Sequence, residues 1–291
     1  MVRKSLCLCL GLMMVASMLL AAQCPGPAAP TPTVPPPPTA KPAPTAVPTA
    51  VPTAKPTAVP PTPTPAKIKI VVATDATWAP FEYVDEASKK IVGFDIDLMD
   101  AIAKEGGLEV EYVNVAWDPL LAGMAAGQYD AAISSMTITD ERKKQFDFSD
   151  PYYSAGQLIV VRADQKGIEK PADLAGHKVG AQIGTTGAIE VGKIQGATLK
   201  TYDTIDLAYM DLVNGQTDAV VADNPLAVNF VNIHKPKLKA VGQPFTDEKY
   251  GIAVKKGAPE VLVRINKGLK IVLDRGIIKE LEDKWLSKKI E

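Results

Sequence analysis

The chain has 291 residues and a formal net charge of −1, with 46% hydrophobic residues, two histidines and three cysteines. That balance is no electrostatic footprint for nucleic acid. All three cysteines, Cys7, Cys9 and Cys24, fall in the first 24 residues, so the rest of the chain has no disulfide, thiol nucleophile or thiolate metal site.

Residues 1–24 read as an export signal. Arg3 and Lys4 give a basic start, and Ser5 to Ala22 form an almost uninterrupted apolar run. Leu19-Leu20-Ala21-Ala22-Gln23 before Cys24 resembles a bacterial lipobox, in which the cysteine is lipidated and begins the mature chain. Gln23 stands where such motifs carry a small residue, and cleavage by an ordinary signal peptidase near Ala22 is the alternative. Residues 25–66 hold 17 of the 25 prolines. Their repeating Pro-Thr-Ala theme predicts a polyproline spacer, at most about 130 Å long at roughly 3.1 Å per residue.

Residues 67–291 are long enough for one large domain or two lobes with their own cores. No run within them is apolar enough to span a bilayer. KIKIVVAT (67–74) predicts a strand and residues 94–105 a helix, with Phe94, Ile96, Leu98, Met99 and Ile102 on its apolar face. LEVEYVNV (108–115) alternates like a strand, and PLLAGMAAG (119–127) predicts a helix closed by glycine. YDAAIS, QLIVVR, HKVGAQ, DAVVA and YGIAV predict short buried strands. GAIEVGKI, TIDLAYMDLVN, NPLAVNFVN, APEVLVRINKGLKIVLDR and GIIKELEDKWL predict helices. This alternation argues for an α/β fold with mostly parallel sheets.

One pattern occurs twice. Gly127-Gln128-Tyr129-Asp130-Ala131 and Gly215-Gln216-Thr217-Asp218-Ala219 both read as helix end, G-Q-x-D-A, buried strand. The first strand runs into Ser134-Ser135 and the second into Asp223-Asn224-Pro225. Two lobes of like build would each present polar groups at the carboxyl end of an equivalent strand, where open α/β sheets bind ligands.

SSMTITDER (134–142) is rich in hydroxyls and ends in arginine. Thr139 or Asp140 is a plausible N-cap. The free N–H groups of the helix start and the planar fork of Arg142 suit a carboxylate. Ser134, Ser135 and Thr137 offer acceptors for an ammonium. An α-amino acid carries both groups on adjacent atoms. The bland alternative is a capped helix whose Arg142 pairs with Asp140 or Glu141 at the surface. Asp223, ending a buried strand, needs a positive partner, and IGTTG (183–187) makes a second hydroxyl-rich turn before a helix.

TDATWAPFEY, VGFDIDLMDAIAK, VAWDPLLAGMAAGQYDAAIS, MTITDERKKQFDFSDPYY and GTTG together resemble the extracytoplasmic amino-acid-binding proteins that feed ABC importers, over essentially all of 67–291. The resemblance implies a two-lobed periplasmic-binding-protein (type II) clamp with a two-strand hinge: 67–156 plus 247–291 as lobe one, 157–246 as lobe two. It implies that Arg142 clamps the ligand α-carboxylate, with N–H groups near Thr137 and Thr186. Ser135, Thr137 and Asp223 would hold the α-ammonium. Trp78 and Trp117 would sandwich the side chain, with Asp75, Ser134 and Gln182 near its far end. Phe81, Met136 and Thr185 complete the expected binding set.

An acidic residue at Asp75 favours a positive or donor-rich side chain, and no basic residue stands at a matching position. Gln182 stands where glutamine binders of the family tend to carry lysine. The expected ligand is therefore arginine or lysine, then histidine or glutamine. An ABC permease and, through Cys24, the membrane are the expected partners. A monomer without cofactor or nucleic acid is expected. Two other classes remain: a dehydratase-like enzyme on the same fold, and the sensing subunit of a membrane receptor. The enzyme reading needs a proton-transfer group in the cleft: His177 and His234 both read as surface residues, and a carboxylate base such as Asp75 has no partner evident in the sequence.

Overall fold

The computed structural model describes residues 66–287. The expected export signal, Cys24 and the expected proline-rich spacer up to residue 65 lie outside the described residues.

Lobe one is built on β1 (Ile68–Thr74), whose inward side chains Ile70 and Val72 are buried. A small meander of β2 (Thr77–Trp78), β3 (Glu82–Val84) and β4 (Ile91–Val92) follows, then α1 (Phe94–Gly106). The five apolar positions foreseen on α1 are all buried, and Gly107, at φ 71°, closes it in the left-handed conformation. β5 (Leu108–Asn114) pairs in parallel with β1 over seven residues. α2 (Trp117–Ala125) begins two residues before the expected Pro119. Proline fits the first turn because the N–H it lacks has no intrahelical partner there. β6 (Ala131–Ala132), α3 (Asp140–Gln145) and β7 (Phe146–Phe148) complete this part of the lobe.

β8 (Tyr153–Ala155) carries the chain into the second sheet, formed by β9 (Gln157–Arg162), β10 (Lys178–Gln182), β11 (Thr198–Tyr202), β12 (Ala219–Asp223) and β13 (Leu238–Val241). α4 (Thr186–Gly192), α5 (Ile205–Val213) and α6 (Asn224–Ile233) connect these strands. β14 (Glu248–Tyr250) brings the chain back beside β8, antiparallel, with Tyr250 opposite Tyr153 and Glu248 opposite Ala155. β15 (Ala253–Lys255), α7 (Pro259–Asp274) and α8 (Ile277–Trp285) finish lobe one.

The two sheets have matching orders, β5-β1-β6-β15-β7 and β11-β10-β12-β9-β13. In each, four strands share one direction and one is reversed. The reversed strands, β15 and β9, are those fed by the two crossing segments. The repeated G-Q-x-D-A motif sits at equivalent places. Gly127 (φ 70°) and Gly215 (φ 72°) turn the chain after α2 and α5. Asp130 then accepts the Val71 N–H of β1 at 2.8 Å, as Asp218 accepts the Lys178 N–H of β10 at 2.8 Å. Each aspartate thus fixes the register of the strand that follows it.

Beneath the crossing, Phe81, Phe94, Tyr152, Tyr153 and Tyr250 form an aromatic group with ring centroids 5.2–6.5 Å apart. The crossing segments themselves run close together. A Cβ on Gly156 would lie 2.2 Å from the Thr246 carbonyl oxygen, so only glycine permits this approach.

Candidate functional site

The carboxyl ends of β1 and β6 in lobe one face those of β10 and β12 in lobe two. Between them lies a small cavity. Lobe one lines it with Asp75, Trp78, Trp117, Ser134, Ser135, Thr137 and Arg142, and lobe two with Thr185, Thr186 and Asp223. Ten of the thirteen residues expected to bind ligand thus meet at one cavity.

Arg142 reaches it because Thr139 caps α3, accepting the Arg142 N–H at 3.2 Å. That geometry points the side chain inward, where it is 8% exposed. Its Nη1 donates to the Thr137 carbonyl at 2.8 Å and its Nη2 to the Gly184 carbonyl of lobe two at 3.2 Å. The guanidinium lies 5.1 Å from the Trp117 ring centroid, a cation–π distance. Asp140 and Glu141 pair instead with Lys143 and Lys144, so the surface pairing considered for Arg142 does not occur. Burial lowers its pKa to about 10, which leaves it charged at neutral pH.

Asp223 is 4% exposed at the end of β12. Burial, and next the charge of Glu248, push its carboxyl up to about 7. The Tyr250 hydroxyl and Gln157 Nε2 both donate to it. Asp75 is also raised by burial, opposed by donors from Gln182 and Thr77, each at 2.9 Å.

Three expected residues do not line the cavity. Phe81 is fully buried in the aromatic group under the crossing. Met136, between Ser135 and Thr137, packs instead into the cluster of Trp117, Leu120, Met124 and Phe146. Gln182 stands behind Asp75 and spends both amide hydrogens, on Asp75 Oδ2 at 2.9 Å and the Asp203 carbonyl at 3.0 Å.

The structure also brings in residues that sequence reasoning passed over. Glu82 accepts the Ser134 hydroxyl at 3.1 Å, and Asp95 accepts the Ser135 N–H at 2.8 Å. Both acids are fully buried, and burial raises both, Asp95 to about 6. They hold Ser135 at φ 46°, a left-handed conformation costly for serine. Glu248 on β14 joins the far side of the site, within hydrogen-bond distance of Thr137, Thr186 and Gln157. The sequence gives no sign of it: Glu248 stands in the charged stretch Asp247-Glu248-Lys249, and its burial on β14 follows from pairing with β8 far along the chain.

Two lobes of like topology closing on a buried, polar cavity at their strand ends define a two-lobed solute-binding clamp. The comparisons with known proteins agree. The family model of the bacterial extracellular solute-binding proteins, family 3, matches residues 70–288, and the chain belongs to that family. An ancestral arginine-binding protein bound to arginine superposes with a TM-score of 0.72 at 43% identity, covering 75% of this chain and 98% of that one. The arginine-, lysine-, histidine-binding protein ArtJ of Geobacillus stearothermophilus gives 0.72 at 40% identity, covering 77% and 97%. A probable histidine-binding protein of Neisseria gonorrhoeae is 36% identical over 234 residues, 78% of this chain and 86% of that one.

Proposed function

We propose that this protein captures an L-amino acid with a cationic side chain outside the cytoplasm, arginine or lysine ahead of histidine or glutamine, and delivers it to an ABC permease. The carrying observation is the charge set of the cavity: one buried guanidinium, Arg142, and two carboxylates, Asp75 and Asp223. Its complement is one carboxylate and two cations, the charge set of free arginine or lysine. A buried charge costs several kcal/mol unless matched, so each of the three selects its opposite.

Arg142 takes the α-carboxylate. Asp223, with the Thr137 hydroxyl, takes the α-ammonium. Trp78 and Trp117 flank the aliphatic stem, and Asp75 takes the cation at its tip. The similar proteins are named for arginine, histidine, glutamine and cystine, a range that differences at the side-chain end of the pocket would account for. An ancestral arginine-binding protein has been solved with arginine and with glutamine bound, two of the four ligands named here.

We read the clamp as a binding protein. One similar structure is a precursor of cyclohexadienyl dehydratase, but such chemistry needs a proton-transfer group at the ligand. His177 lies 3.4 Å from Asp218 and neither histidine lines the cavity, and we read the two carboxylates that do line it, Asp75 and Asp223, as counter-charges for the ligand. Lipid anchoring through Cys24 would keep the clamp near its permease.

Asp75→Asn tests the assignment. Arginine binding should weaken by roughly 2 kcal/mol or more, while glutamine binding stays within a few-fold, both by calorimetry. Equal losses for the two ligands would show that Asp75 does not read the side chain.

A further inference from the structure

Glu248 lies outside the cavity wall, yet it touches more of the site's polar groups than any lining residue needs for packing. Its Oε2 accepts the Thr137 hydroxyl of lobe one at 2.6 Å and the Thr186 hydroxyl of lobe two at 2.9 Å. Its Oε1 accepts Gln157 Nε2 at 3.1 Å and the Thr246 hydroxyl at 2.9 Å. Four donors thus converge on two oxygens, and the group acts only as an acceptor.

The consequence falls on Thr137. A hydroxyl has one hydrogen and two lone pairs. Thr137 commits its hydrogen to Glu248, so what it presents to the cavity is lone pairs alone. Thr186 is held in the same way: it donates to Glu248 at 2.9 Å.

We infer that Glu248 is the positioning residue that makes this cleft select an α-ammonium over an α-hydroxyl, by fixing the Thr137 hydroxyl as an acceptor toward the ligand. The inference rests on the amino-acid reading above and names what enforces its amine end. An ammonium brings three hydrogens and needs acceptors on every side. Asp223 supplies one and the oriented Thr137 another. A ligand hydroxyl brings a single hydrogen, which Asp223 alone can satisfy, so it gains little from Thr137. With an amide at position 248, the NH2 group can donate to Thr137 instead. The threonine hydrogen then turns into the cavity, where it opposes an ammonium and suits a hydroxyl.

The test is calorimetric titration of wild type, Glu248→Gln, Thr137→Val and the double variant. The probes are L-arginine and its 2-hydroxy analogue, which keeps the carboxylate and guanidinium. The titrations are run at pH 8, above the value near 7 at which Asp223 titrates. Wild type should prefer the amine. Glu248→Gln should lower that preference roughly tenfold or more, the scale of one hydrogen bond to a charged group. Thr137→Val should lower it by a similar factor, and the double variant should add little, because one residue acts through the other. A preference within twofold of wild type in Glu248→Gln overturns the inference. So do factors for the two single variants that simply multiply. If Glu248→Gln does not fold, Thr137→Val alone decides: an unchanged preference overturns it. Wild type that ignores L-arginine contradicts the proposed function itself, before any variant is compared, and the inference falls with it. Wild type that prefers L-arginine with an unaltered preference in the variants contradicts the inference alone.

Discussion

Asp223 is where electrostatics and function meet. Its carboxyl, held up to about 7 by burial and then by Glu248, is partly protonated at neutral pH, and a ligand ammonium favours its charged form. In the proposed binding mode, uptake of the ligand should therefore expel a proton below pH 7. Affinity should fall as pH drops from 7.5 to 5.5, by up to about tenfold per unit for one released proton, and level off above pH 8. Titration in two buffers of different ionisation enthalpy reads the proton directly. Stability of the ligand-free protein has the opposite sign. A carboxyl near 7 when folded and about 4 when unfolded keeps its proton in the native state after the unfolded chain has lost its own. The melting temperature should thus decline as pH rises from about 4 to 7, with Asp95, near 6, contributing in the same window. A flat affinity profile would remove Asp223 from the amine site. At this scale much was legible in the sequence. Arg142 after a capping threonine and Asp223 at a strand end both advertise unmatched charge. Glu82, Asp95 and Glu248 do not, because an acid in a mixed-charge or aromatic-rich stretch gives no sign of which neighbours will bury it.

Among the elements, the crossing segments matter most to the mechanism. β8 and β14 pair over only three residues, and Gly156 passes so near Thr246 that a methyl group has no room. Asn224 clasps the same glycine, donating its N–H to the Gly156 carbonyl at 2.8 Å and accepting the Gly156 N–H at 3.0 Å. Gly156→Ala should force the segments apart and cost roughly 1–3 kcal/mol of stability, seen as a lower melting temperature, with weaker ligand binding because the lobes no longer meet squarely. Unchanged melting and affinity would mean that the crossing tolerates more freedom than its packing indicates. Long periodic elements such as α1, α7 and β1 were plain from their apolar spacing. The short strands β2, β4, β7, β8 and β14 were not. Two or three residues carry too little periodicity, and their pairing is decided by partners far along the chain.

On the scale of the whole clamp, the two lobes are closed on each other. Gln182 of lobe two donates to Asp75 of lobe one at 2.9 Å, Arg142 reaches Gly184, and Thr186 reaches Glu248 on the returning segment. A ligand stabilises this closed arrangement only by contacts that the open one lacks, and in the proposed binding mode Thr185, Thr186 and Asp223, which line the cavity from lobe two, would supply them. The repeated G-Q-x-D-A motif made the two-lobe plan readable in advance, since each aspartate ties the same pair of strands. The most direct test of the account is calorimetric titration of protein freed of carried-over ligand by refolding from denaturant, against arginine, lysine, histidine, glutamine and glutamate. The charge set of Arg142, Asp223 and Asp75 predicts that arginine or lysine binds tightest, glutamine more weakly, and glutamate not measurably. Tightest binding of glutamate, or no binding of any amino acid, would contradict it.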